Sequence, residues 1–192
     1  MPLILASASP RRSELLRNAA IPFLVEPAHL PEQPLPDEKP LDYAQRLARG
    51  KALTVHARHP DDAVLGADTV VVVDEHLLEK PADERDAVRM LRLLSGRAHQ
   101  VITGVSLVAP GFERTEAEIT QVVFSALSED EIGYYVETGE PMGKAGAYAI
   151  QGIASRWIER IDGCYFNVVG LPVPRVHRML QTCEAATRLS LV

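Results

Sequence analysis

Apolar and polar positions follow two different periods along this chain, and each change of period marks an element. An apolar run, Leu3-Ile4-Leu5-Ala6, is short enough for a buried strand and stops at Ser7-Ala8-Ser9-Pro10-Arg11-Arg12. A helical pattern then begins with Glu14-Leu15-Leu16. Ser9 is suited to cap that helix, and Pro10 falls on its first position, where a missing N–H costs nothing. The prediction is strand, tight loop, helix. Residues 22–26 read as a short strand, and residues 27–40 form a loop dense in proline and acid. Apolar residues at Leu41, Ala44, Leu47, Ala48 and Ala52 have helical spacing, so residues 41–58 are a predicted helix, weakened slightly by Gly50.

Residues 63–73 are nearly continuous and rich in β-branched side chains, the pattern of a central strand buried on both faces. Asp74-Glu75-His76 reads as a turn, with residues 77–81 leading into a helical region. Asp83 is suited to cap a packing helix through Met90, Leu91 and Leu94, closed by Gly96. Residues 98–108 and 115–126 fit an antiparallel pair separated by Pro110-Gly111. Ser128-Glu129-Asp130-Glu131 is a capping box that opens a helix carrying Ile132, Tyr135 and Val136. A strand is expected over 155–161, with Trp157 and Ile158 inward. A last helix follows Gly170-Leu171-Pro172, with Val173, Val176, Met179 and Leu180 on one face.

Composition narrows the class without naming a function. The 192 residues, 46% hydrophobic and 24% charged, suit one sizeable domain or one domain folded as two lobes. A net charge of -6 speaks against a general nucleic-acid binder but leaves room for a small anionic substrate in a local positive pocket. Cys164 and Cys183 lack partners at metal-ligand spacing, so reduced thiols are expected. The six histidines share no spacing and read as surface or core residues. No apolar run reaches membrane-spanning length, and the opening segment lacks the basic start of a signal peptide, so a cytoplasmic protein is expected.

Three stretches carry candidate chemistry. The first is Ser7 to Arg12, where free helix amides, the positive dipole end and two guanidiniums converge in one turn. Arginines there oppose the macrodipole, so an anion site explains them better than a ligand-free surface pair. The second is Asp68, a single acid inside the apolar strand. A buried carboxylate needs a partner, a hydrogen bond or a metal, and Gly66 and Ala67 make room for something bulky beside it. A functional acid and a structural salt bridge are the two alternatives. The third is the stretch of residues 139–152, whose four glycines allow close backbone approach and whose Lys144 and Gln151 supply a charge and a two-way amide. By itself, that stretch could equally turn a corner. Three residues outside these stretches stay open as well. Glu32 reads as a solvated loop acid, helical spacing points Lys51 toward water, and Lys80 is held extended by the proline after it.

Taken together, Leu5-Ala6-Ser7-x-Ser9-Pro10-Arg11-Arg12, Gly66-Ala67-Asp68-Thr69-Val70, Lys80-Pro81, Leu94-Ser95-Gly96, Thr103-Gly104-Val105, Gly139-Glu140-Pro141, Lys144-Ala145-Gly146-Ala147-Tyr148, Gln151-Gly152 and Val169-Gly170-Leu171-Pro172 resemble the Maf family of nucleotide pyrophosphatases. The likeness runs in order over nearly the whole chain. It implies a single domain over 1–192, an α/β fold with a mixed, elongated sheet and flanking helices, and two lobes around a central cleft. It also implies a cytoplasmic enzyme, often a homodimer, that uses a divalent metal such as Mg or Mn to split a nucleoside triphosphate into monophosphate and pyrophosphate.

By the same resemblance, Asp68 is the catalytic residue, acting as general base or holding the metal that acidifies the attacking water, and Glu32 shares that metal. Ser7, Ser9, Arg12, Lys51, Lys80 and Lys144 bind the substrate, while Arg11, Thr69 and Gln151 choose the base. The branch that prefers dTTP and UTP carries the last three. Its sister branch, acting on 7-methyl-GTP, has Trp, Gln and Glu at these places. A Gln amide suits the O–NH–O edge of uracil or thymine, whereas Glu accepts from a guanine edge and Trp stacks on a cationic base. Many members have Gly where this chain has Glu79, and Glu32 matches only by its distance from Arg12 and its Pro-Glu context. The alternatives are a 7-methyl-GTP or broad-specificity pyrophosphatase, a non-catalytic nucleotide sensor of cell division, and a serine hydrolase using Ser7 or Ser9. No Gly-x-Ser-x-Gly elbow supports the last of these.

Overall fold

A computed structural model describes residues 2–189 of the protein, and its first helix begins where the capping chemistry places it. Strand β1 (Leu3–Leu5) leads through a loop into α1 (Pro10–Asn18), with Pro10 in the first turn and the Ser9 side chain accepting from the Arg12 amide. Strand β2 (Leu24–Val25), the 17-residue helix α2 (Pro40–His56) and the 11-residue strand β3 (Ala63–Val73) follow. Next come β4 (His76–Leu78), α3 (Glu84–Leu94), β5 (Ala98–Ala109) and β6 (Phe112–Phe124). The remaining elements are α4 (Glu129–Glu137), β7 (Ile158–Asp162), α5 (Tyr165–Val169) and α6 (Val173–Leu189).

The strands form one mixed sheet in the order β2-β1-β3-β5-β6-β7, with β4 added to β3. β1 runs parallel to β2 and β3, and the β3–β4 and β6–β7 pairs are antiparallel. The fold is therefore mixed α/β with flanking helices. Its contacts divide the chain into two units, one of residues 1–68, 103–118 and 170–192, the other of residues 69–102 and 119–169. Strands β3, β5 and β6 contribute residues to both.

In the first unit α2 lies against the sheet with almost no side chain between. A Cβ on Gly66 of β3 would sit 2.1 Å from the Ala48 carbonyl oxygen, and one on Gly104 of β5 would sit 2.3 Å from that of Ala44. Ala44, Ala48 and Ala52, at i, i+4 and i+8, are the α2 residues that permit the approach, and each is fully buried. The room beside Asp68 expected at Gly66 is thus filled by a helix backbone. Ile4, Ala6, Ala52, Val55, Val64 and Val108 close the apolar core around this seam.

The second unit is built around aromatic rings. His99, Phe124 and Tyr148 meet edge to face at centroid distances of 4.9 to 5.4 Å, and the Tyr148 hydroxyl lies 2.9 Å from His99 Nε2. Burial pushes the His99 pKa down to about 4, against an opposing backbone contact at Arg97. Asp83 caps α3 through the Asp86 amide, and both bonds of the Ser128–Glu131 capping box are made at α4.

Three local expectations change. Residues 77–81 do not enter a helix: Leu77 and Leu78 pair with Val72 and Val71 after a two-residue turn in which Asp74 takes a positive φ of 51°. Two adjacent leucines satisfy either period, and the hairpin settles it. The strand expected over 155–161 is divided, its first half being a 3₁₀ segment (Ile153–Trp157) and its second β7. Trp157 is buried there, but Ile158 is only half-buried. Helix α5 has five residues, too few to display a period.

Candidate active site

The first unit gathers seven of the residues singled out in the sequence: Ser7, Ser9, Arg11, Arg12, Glu32, Lys51 and Asp68. Arg12, one turn into α1, is 9% exposed, and its guanidinium works inside the protein. Nη1 donates to Ser7 Oγ at 2.9 Å and to the Ala67 carbonyl at 2.9 Å, while Nε donates to the Gly170 carbonyl at 2.8 Å. One side chain thereby joins the loop after β1, the middle of β3 and the start of the Gly170-Leu171-Pro172 turn. Desolvation lowers its pKa, and the charges of Asp68 and Glu32 oppose that shift. Ser7 Oγ also accepts from the Ser9 amide at 3.3 Å. Among the described residues no base is hydrogen-bonded to the Ser7 hydroxyl, so a serine nucleophile at Ser7 gains no support.

Asp68 and Lys51 form the centre. Lys51 is buried at 7% exposure, contrary to the reading from its helical spacing, because α2 lies so close to β3 that its ammonium reaches the strand. Nζ lies 2.6 Å from Asp68 Oδ1 and 2.6 Å from Glu32 Oε1. A single cation thus bridges the buried strand acid and an acid from the 27–40 loop. Glu32 itself is on the exposed side of the cluster.

That loop has no secondary structure of its own, and α2 holds it. Tyr43 Oη donates to the Glu32 carbonyl at 3.1 Å. The Arg46 guanidinium makes a two-pronged bond to Glu38 at 2.5 and 2.7 Å and also reaches the Gln33 carbonyl at 3.0 Å. Tyr43 and Arg46 are supporting residues that the sequence reading passed over. The available signal was a Tyr and an Arg on one face of the helix after an acidic loop, a weak one.

Arg11 is half-buried on α1, where burial lowers its pKa. Thr69, Lys80, Lys144 and Gln151 belong to the second unit. Thr69 is half-buried, directly after Asp68 in β3, and Lys80 and Gln151 are exposed. The Gly146 amide donates to the Glu79 carbonyl at 3.1 Å, which fastens the glycine-rich loop to the segment carrying Lys80. That bond uses only main chain, so a Glu in place of Gly at position 79 does not disturb it. Gly146 takes a positive φ of 67°, and a Cβ there would come within 2.9 Å of Val71. Lys144 Nζ donates to the Glu140 carbonyl and, at 3.5 Å, to that of Met142.

Asp68 and Glu32 offer only oxygen donors, the hard ligand type that suits Mg²⁺ or Mn²⁺, and each places one oxygen against an ammonium ion. No group of three or more metal-binding side chains occurs among the described residues. A cation held by two carboxylates fits the pattern in which substrate phosphates and water complete the shell. The donor set therefore fits a divalent metal.

Comparison with known proteins covers most of the chain. Residues 2–183 match a family model described as Maf-like protein. A protein of Koribacter versatilis named dTTP/UTP pyrophosphatase is 61% identical over 181 residues, 94% of each chain. Proteins of the same name from Symbiobacterium thermophilum and Geobacter sulfurreducens are 53% and 52% identical. The first alignment covers 93% of this chain and 92% of its relative, the second 91% and 92%. No helix among the described residues is long and apolar enough to cross a membrane.

Proposed function

Because the chain belongs to the Maf-like protein family, we propose that it is a nucleoside triphosphate pyrophosphatase that hydrolyses dTTP and UTP to the monophosphate and pyrophosphate. The observation that carries this reading is similarity over 91 to 94% of the chain to relatives of that name, reaching 61% identity. The Asp68–Lys51–Glu32 cluster supports the chemistry.

In the proposed reaction a water attacks the α-phosphorus and pyrophosphate leaves. Asp68 accepts the proton of that water as general base. Lys51 sets the direction of the Asp68 carboxylate and neutralises charge that builds on the phosphoryl oxygens. Arg12 holds the Ser7–Ser9 loop so that the first-turn amides of α1 face the phosphates, joined by Lys80 and Lys144. Asp68 and Glu32 would hold the divalent cation, which when bound supplies Lewis acidity toward phosphate oxygens and water. Arg11, Thr69 and Gln151 choose the base, and the Gln amide matches the paired acceptors and donor of a uracil or thymine edge. A homodimer acting in the cytoplasm on free nucleotides completes the reading.

Pyrophosphate release from a panel of nucleoside triphosphates, with magnesium or manganese, tests it. dTTP and UTP should rank first. A preference for GTP or 7-methyl-GTP would overturn the pyrimidine assignment, and nucleotide binding without release would favour a sensor over an enzyme.

A further inference from the structure

Glu140, in the turn after α4, plays no part in the reaction described above, yet its side chain and main chain touch both specificity and phosphate elements of the glycine-rich loop. Its carboxylate accepts the Tyr135 hydroxyl at 2.8 Å and the Ile153 amide at 3.0 and 3.2 Å. Tyr135 Oη in turn accepts the Ala149 amide at 3.2 Å. The two side chains therefore hold the main chain on either side of Gln151, at Ala149 and at Ile153. The Glu140 carbonyl receives the ammonium of Lys144.

Gly152 shows how closely the carboxylate is seated. Its φ is -103°, so a left-handed backbone is not what calls for glycine here. Space does, because a Cβ would lie 2.2 Å from Glu140 Oε1 and 2.5 Å from Oε2. The residue after Gln151 is small so that a carboxylate can lie against it.

We propose that Glu140 is a positioning residue for base selection: with Tyr135 it fixes the turn that presents Gln151, and through its carbonyl it fixes Lys144. The proposal rests on the reading that Gln151 contacts the base. Glu140 itself does not touch the substrate. Its removal frees the 149–153 turn, so the Gln151 amide loses its direction while Asp68, on β3, is unchanged. The effect falls on KM and on the ratio between nucleotides more than on kcat.

The test measures kcat and KM for dTTP, UTP and GTP in Glu140→Ala, Glu140→Gln, Gly152→Ala and Gln151→Ala. Glu140→Ala should lower kcat/KM for dTTP by about 10- to 100-fold, the range of a small misplacement far from the chemistry, mostly through KM, and should narrow its margin over GTP. Glu140→Gln keeps the oxygen that serves both Tyr135 and Ile153 and should recover most of the margin. Gly152→Ala displaces the carboxylate by a different route and should reproduce the loss, which keeps the test decisive if Glu140→Ala fails to fold. A shifted ratio in Gln151→Ala with an unchanged ratio in both Glu140→Ala and Gly152→Ala overturns the positioning role alone. An unchanged ratio in Gln151→Ala overturns the base-contact reading and the proposal with it. An equal loss for all nucleotides through kcat also overturns the proposal.

Discussion

Lys51 Nζ and Asp68 Oδ1 are 2.6 Å apart, and both side chains are buried. One comes from a helix and the other from the middle of a strand, so the distance between them is set by how closely α2 lies on β3. The pair also reaches outward through Glu32, which shares the same ammonium. Charge is thus handed from the core to an exposed loop by a single cation.

Asp68→Asn keeps the shape of the site and removes the proposed base. Pyrophosphate release should fall by about 100- to 10,000-fold, the usual contribution of a positioned general base. Nucleotide binding, measured by calorimetry, should persist. Turnover near that of the wild type would exclude Asp68 from the reaction.

Lys51→Met removes the cation and leaves two carboxylates facing each other. Breaking a buried pair from one side typically costs about 3 to 5 kcal/mol, and the exposure of Glu32 places the expected loss at the lower end. Denaturant unfolding of the metal-free protein reads this directly. An unchanged unfolding free energy would show that the pair contributes nothing to the fold.

Gly66→Ala forces a methyl group against the Ala48 carbonyl, so α2 must move. A loss of about 1 to 3 kcal/mol or more is expected, as for other overpacked sites, together with a loss of activity. Gly133→Ala is the contrast. Nothing lies within 4 Å of the methyl group it adds in α4, and it should stabilise the protein by about 0.5 to 1 kcal/mol. Equal effects from the two substitutions would mean that the close seam is not a constraint.

His99 is neutral in the folded protein, with its pKa pushed down to about 4. The unfolded chain, near the ordinary value of 6.5, binds the proton first as pH falls. Stability is therefore lost between about pH 6.5 and 4, by up to about 3 kcal/mol for a shift of this size. His99→Gln keeps a group able to bond to Tyr148 and should flatten that part of the pH profile of Tm. A profile identical to the wild type would remove His99 as its cause.

What could be read from the chain divides by range. The start of α1 at Ser9 and Pro10, the cap at Asp83 and the Ser128 box are legible because a few adjacent residues decide each. β3 is legible because valines and other strand-favouring residues fill most of an eleven-residue run. Lys51 could not be assigned by spacing, since a helix surface has no sign until something packs on it. Its partner lies 17 positions away and comes within reach only because Gly66 and Gly104 lack side chains. Glu140 was visible in a motif, yet its bonds to Tyr135 and Ile153 depend on how the loop returns on itself. Arg12 was expected at a phosphate, and the structure adds three bonds to its own chain that no local pattern announces.

The close seam between α2 and the sheet has a consequence for transplanting this site. Where layers are separated by large side chains, a misfit can be absorbed by a change of rotamer. At Gly66 and Gly104 main chain meets main chain, and no rotamer is available to adjust. The position of Lys51 relative to Asp68 is thus inherited from two backbones as a unit. A scaffold built to carry this chemistry must take α2, β3 and the neighbouring stretch of β5 together, alanines and glycines included, before any of the charged residues is worth installing.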